Sequence, residues 1–333
     1  MRKNILFSVI ICIGTFVLSC SDYLDVERYF NDRQDLERIF NSRDYTEQWL
    51  ANAYYQLLSY NLEIGHVRFT LTNYSDDMIF TEGGAGISYS NYKFGQYGPQ
   101  YGGNVNALIA RPWDQSYEGI RQASIFLQHV HPGAEISAEM CDDLKGQAYF
   151  IRGYLYWLLL RKYGPVPILP DEGLDYEAPY SDLAYPRSTY DECAEYIAEQ
   201  MLLAAQFLES DRSSRNASRP TKGAALAVRA KAYLYAASPL MNGNPDMSSF
   251  TDDTGKELIS GEYDEEKWAK AAAAALDVIR LNKYEIYVAP KRSSGGLWGA
   301  YPKTIEPPYH PVYSERGWKD GGWKDIDPLD SYR

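Results

Sequence analysis

Residues 144–169 read LKGQAYFIRGYLYWLLLRKYGPVPIL. Leu144, Ala148, Ile151, Leu155 and Leu158 recur at three- and four-residue steps, the spacing that stacks side chains on one face of an α-helix. Gly164 followed by Pro165 is a common way to stop one. The pattern then returns: Lys145, Gly146, Ala148, Arg152 and Tyr156 reappear 77 residues later as Lys222, Gly223, Ala225, Arg229 and Tyr233. Small residues at matched positions let a neighbouring helix approach closely. An offset of 77 residues holds two helix-hairpin repeats of roughly 34 residues plus an insertion, which predicts a mainly α fold, a tetratricopeptide-like array of helical pairs.

Outward from this stretch, helical periodicity continues. From Ser188, Tyr190, Cys193, Ile197, Met201, Ala204 and Leu208 fall on one stripe, and Ser188 and Thr189 with Asp191 and Glu192 resemble a capping box. After Asp264, a capping residue, Glu265 and Glu266 sit where the helix dipole favours negative charge, with Arg280 near the far end. Further helices are expected over about Tyr45–Tyr60, Trp113–His131 and Lys222–Ala237. Residues 70–110, 164–187, 239–262 and those beyond 289 read as long loops, and loops of that length commonly carry function.

At the N-terminus, Arg2 and Lys3 precede an apolar run from Ile5 to Leu18. A membrane-spanning helix needs about 20 apolar residues, so the run reads as a secretory signal. Ser19 before Cys20, with Val17 three positions upstream of the cysteine, is similar to a bacterial lipobox, making Cys20 the expected lipidation site. Removing residues 1–19 moves the formal charge from −12 to −14, which argues against nucleic acid as a partner. Cys141 and Cys193 then remain, and Cys193, on its apolar stripe, reads as a small buried hydrophobe.

Between Tyr89 and Tyr101 lie four tyrosines and Phe94, set among glycines and Pro99, where no regular element buries them. Apolar faces held in a loop want cover, from the protein or from a ligand.

Other constellations are weaker. His129 and His131 form an HxH with no third ligand in view. Asn242, Asn244, Asp246 and Asp253 echo a calcium loop, but Met247 stands where its sharp turn wants glycine. No metal site and no cofactor is expected.

Several segments together carry a family resemblance: CSDYLD after the signal, WDQSYEGIRQASIFL from Trp113, the stretch from Leu144, RPTKGAALAVRAKAYLY from Arg219 and EKWAKAAAAALDVI from Glu266. In content, order and spacing, over essentially the whole chain, they resemble the SusD/RagB-like nutrient-binding lipoproteins of the Gram-negative outer membrane. The resemblance implies a surface-exposed, non-catalytic protein that captures an oligosaccharide or another large nutrient. Its helical half would contact a SusC-like TonB-dependent transporter. The domains expected are a signal peptide over 1–19, a helical domain over 20–290, and over 291–333 the irregular start of a C-terminal ligand-side region that is truncated here. Where the family often has Asn after IRQA, this chain has Ser124, a change expected to alter one helix-packing hydrogen bond.

In position the tyrosine-rich loop corresponds to one that helps form the family's ligand site. A sugar ring presents an apolar face and a rim of hydroxyls, and Tyr meets both with little conformational entropy to lose. Tyr89, Asn91, Tyr92, Tyr97, Tyr101 and Asn104, with the upstream Asp76 and Asp77, are the candidate ligand-binding residues. Packing of these tyrosines onto the helical frame stays open residue by residue. Asp76, Asp77 and Glu82 raise a glycosidase alternative, which needs two carboxylates at a defined separation, one held protonated. Hydrogen bonding to ligand hydroxyls is the simpler role, so no catalytic residue is assigned. A protein-interaction scaffold is the other alternative, because tetratricopeptide-like arrays commonly bind proteins. Trp113 and Tyr117 read as core. Trp298, Tyr301, Tyr309, Tyr313, Trp318 and Trp323 either complete a glycan platform or pack against a C-terminal portion, the second being favoured.

Overall fold

The computed structural model describes residues 35–58, 112–174 and 177–285. Among these there is no β-strand, only an isolated antiparallel bridge between Thr251 and Glu257. The helices are α1 (Leu36–Asn41), α2 (Arg43–Leu58), α3 (Pro112–His129), α4 (Ala138–Tyr163), a one-turn α5 (Tyr180–Leu183), α6 (Tyr190–Phe207), α7 (Lys222–Ala237) and α8 (Glu266–Arg280). A larger compact unit runs to Ala275, and a second begins at Leu276, of which residues 276–285 are described.

Local chemistry sets the helix ends. Ser137 caps α4 by accepting a hydrogen bond from the Met140 amide at 3.1 Å, so the helix starts earlier than its apolar pattern suggests. Gly164, at φ 69°, closes it in a backbone region that glycine enters without a Cβ clash. The capping box at α6 forms as expected: the Glu192 amide donates to Thr189 Oγ1 at 3.1 Å and the Thr189 amide to Glu192 Oε2 at 2.6 Å. Asp264 accepts from the Glu266 amide at 2.8 Å ahead of α8. The expected helix to His131 ends at His129, because Pro132 disfavours helical geometry in the residue before it.

Helices adjacent in sequence pack against each other: α2 on α3, α3 on α4, α4 on α6, α6 on α7. α4 and α6 carry the deepest part of the core: Ile151, Leu155, Trp157, Leu159 and Ile197 are wholly inaccessible, with Leu155 turned toward α3 and Trp157 edge-on against Tyr235 of α7. A Cβ added at Gly153 would stand 2.8 Å from Gln200 Cβ, and one at Gly146 would stand 3.0 Å from the Leu208 backbone nitrogen. Both glycines are therefore required by close helix approach, which the repeat predicted for Gly146 and not for Gly153. At the other end of the array, Phe40 packs on Trp49 and edge-on against Phe126, with ring centroids 5.5 and 5.6 Å away.

Candidate functional site

The candidate ligand residues Asp76, Asp77, Tyr89, Asn91, Tyr92, Tyr97, Tyr101 and Asn104 lie outside the described residues, as does Cys20. The helices that flank this stretch in sequence are described: α2, which ends at Leu58, and α3, which begins at Pro112, pack against each other. The first turn of α3 is held by aromatic contacts. Trp113 meets Tyr163 edge-on at 5.2 Å and lies 5.1 Å from Tyr117. Tyr117 donates to the Pro167 carbonyl at 2.7 Å and meets Tyr156 edge-on, and Tyr156 in turn meets Tyr196. Burial pushes the Tyr117, Tyr156 and Tyr196 phenols well above the usual tyrosine range, so they stay neutral donors and acceptors. This ladder joins α3, α4 and α6, so α3 starts from a fixed position.

Beneath it lies a polar node that sequence reading understated. Arg152 has only 2% of its side chain exposed. Its Nε and Nη2 donate to Gln200 Oε1 at 2.9 and 2.8 Å, Nη1 to Ser124 Oγ at 3.3 Å, and Nη2 to Asp171 Oδ2 at 3.0 Å. Tyr196 donates to the other Asp171 oxygen at 2.6 Å, and Gln128 donates to the Asp171 carbonyl at 3.1 Å. The node pins the 164–174 loop to three helices. Ser124 thus accepts a hydrogen bond from α4.

The remaining sequence candidates resolve into structural roles. Cys193 is buried and directs its thiol at the Val166 carbonyl, 3.5 Å away. Burial pushes that thiol up to about 11, which keeps it unreactive. The His129 ring stacks on Phe40, and both His131 ring nitrogens lie within hydrogen-bonding distance of acceptors, the His129 carbonyl and Asn41 Oδ1. Asn242 donates to the Asp264 carbonyl and accepts from the Asp264 amide, both at 2.8 Å, while Asn244 accepts from the Asp246 amide. The apparent calcium loop is thus built from turn-forming side chains. Among the described residues no group of three or more His, Cys, Asp or Glu is placed to hold a metal ion. None of the described helices is long and apolar enough to cross a membrane.

Helical pairs of this kind, with long connections after α4 and α7, define a class, and comparison with known proteins gives it a name. Residues 22–234 match the SusD-like family described as "Starch-binding associating with outer membrane", and the chain belongs to that family. Among solved structures it is similar to BT4246, with 26% identity and a TM-score of 0.59 over 74% of this chain and 41% of that one. It is also similar in fold to a SusD-like protein (BF3747) from Bacteroides fragilis (19% identity, TM-score 0.56, covering 78% of this chain and 41% of that one). A SusD homolog from Bacteroides thetaiotaomicron likewise shares the fold (20% identity, TM-score 0.56, covering 77% of this chain and 44% of that one). The chain therefore spans about two fifths of the length of these solved proteins. No match is found among curated proteins.

Proposed function

We propose that this protein is a cell-surface glycan-binding lipoprotein, anchored through Cys20 and facing the exterior of the outer membrane. It captures an oligosaccharide and delivers it to a SusC-like TonB-dependent transporter, and it works by binding and not by catalysis. The observation that carries this reading is the family match over residues 22–234, which takes in the tyrosine-rich loop. Two chemical features support it. The loop alternates aromatic faces with Asn and Gln amides, the surfaces a pyranose ring requires. The helices on either side of the loop are fixed to a rigid frame, so ligand contacts there lose less ordering entropy.

The test is a glycan panel applied to soluble protein beginning at Ser21, with Tyr92→Ala and Tyr97→Ala alongside. Binding to one glycan class, weakened by about 1–3 kcal/mol on losing a stacking tyrosine, supports capture by this loop. The scaffold reading, supported by the tetratricopeptide-like array, instead expects both variants to leave every glycan affinity unchanged. Membrane partition of a Cys20→Ala protein tests the anchor separately: full retention in the membrane fraction contradicts it.

A further inference from the structure

A groove of about 720 Å³ runs between α2, α4 and the turn that enters α7. On α2, Glu47, Leu50, Tyr54 and Leu57 line it, a stripe of ten residues' rise or about 15 Å. Leu144 and Phe150 of α4 and Pro220 complete apolar walls. Among its polar lining residues, Glu47 is already paired with Arg43 at 3.5 Å. Ser218, Arg219 and Thr221 also line it, and Arg219 lies near enough to Tyr54 to act on its phenol. Arg219 contrasts with its neighbour Arg212, which is held by Asp143 at 2.7 Å, by Glu209 at 3.3 Å and by the Pro220 carbonyl. No carboxylate pairs with the partly buried Arg219 guanidinium among the described residues. The Tyr54 phenol beside it is already committed to Gln147, donating at 2.9 Å.

We infer that this groove binds a free amphipathic carboxylate, an acyl chain of about ten carbons lying along the Leu50–Leu57 stripe with its carboxylate on Arg219. A guanidinium lining an apolar cleft is best satisfied by an anion carried on an apolar body. A glycan is a poor occupant, because its hydroxyls would be buried against Leu50, Leu57 and Leu144 without partners. The site is distinct from the tyrosine-rich loop, and the inference stands or falls independently of the glycan reading.

The test uses the soluble chain from Ser21 with the fluorescent probe anilinonaphthalene sulfonate, displaced by decanoate, octanoate or decanol. One saturable site is expected, with decanoate displacing the probe about tenfold better than decanol. Each methylene contributes about fourfold, so octanoate should be at least tenfold weaker than decanoate. Arg219→Ala should weaken decanoate about tenfold and erase its advantage over decanol. Ala51→Trp, at an exposed position on the groove lip, should remove decanoate and probe binding together while circular dichroism and Tm are unchanged. Absence of saturable binding, binding that survives Ala51→Trp, or equal displacement by decanoate and decanol overturns the inference.

Discussion

The two copies of the K-G-x-A-x3-R-x3-Y pattern, on α4 and α7, have the same helical register and opposite fates. Gly146 and Gly223 are both buried, and Ala148 and Ala225 are both inaccessible. Past the first two turns the copies diverge. Arg152 is buried among Gln200, Ser124 and Asp171, whereas Arg229 is partly exposed and lies over the Tyr233 ring at 5.6 Å. Tyr156 is buried and accepts from the Leu169 amide, whereas the partly exposed Tyr233 donates to Glu195 Oε2 at 2.7 Å. Trp157 is inaccessible and its counterpart Leu234 is 48% exposed. The cause is neighbours. α4 lies between α3 and α6, while α7 packs mainly on α6. A repeated sequence therefore specifies where a helix can be approached closely, and its place in the array decides how much of it is covered.

Glu195 shows how the outer copy is stabilised without deep burial. Burial works against its charge, but hydrogen bonds from Lys270 and Tyr233 outweigh this and hold the carboxyl below the usual glutamate range. Lys267 adds a second link from α8 to α6, 2.7 Å from Asp191. Ionic contacts at this rim do what apolar packing does at the α4–α6 seam, at smaller gain per contact.

If position in the array sets the energetics, matched substitutions should differ sharply. Trp157→Ala should cost about 3–5 kcal/mol in denaturant unfolding, and Leu234→Ala under about 1 kcal/mol. Next in size, Arg152→Ala should cost about 2–4 kcal/mol, because it leaves the buried Gln200 carbonyl unpaired and opens a cavity; Arg229→Ala should cost less than about 1 kcal/mol. Equal losses at either pair would break the comparison. Gly153→Ala sharpens it further, since the equivalent residue on α7 is already Ala230. Overpacking against Gln200 should lower stability by about 1–3 kcal/mol and outweigh the helix propensity gained.

The smallest expected effect lies at the α6 cap, where Thr189→Ala should cost about 1 kcal/mol. The amide of Thr189, then Lys256, holds the Glu192 carboxyl below the usual range. Because its folded pKa is depressed, its contribution is present at neutral pH and is lost as pH falls from the ordinary glutamate pKa through the folded value. Glu192→Gln should make that acid limb of a Tm-versus-pH curve shallower, with the pH dependence above it unchanged.

Read one residue at a time, helix periodicity, the α6 capping box, the Gly164 stop and the close approach at Gly146 were all legible in the chain, because each depends on spacing or on groups a few residues apart. The Arg152 node was not legible. Its partners Ser124, Asp171 and Gln200 lie 19–48 residues away, and no local signal distinguishes an arginine on a helix surface from one turned inward. The same holds for the groove, whose walls come from α2, α4 and the turn before α7. For the candidate glycan site, composition singles out the tyrosine-rich stretch, and its residues lie outside those described.

By itself, then, the sequence determined the helical class, most helix ends and the family signature, all products of short-range periodicity and motif content. Tertiary structure alone decided which of two matching arginines is buried and which side chains meet in the groove between α2, α4 and the turn before α7. Burial is a property of what surrounds a residue, and here those surroundings are assembled from helices far apart in the chain.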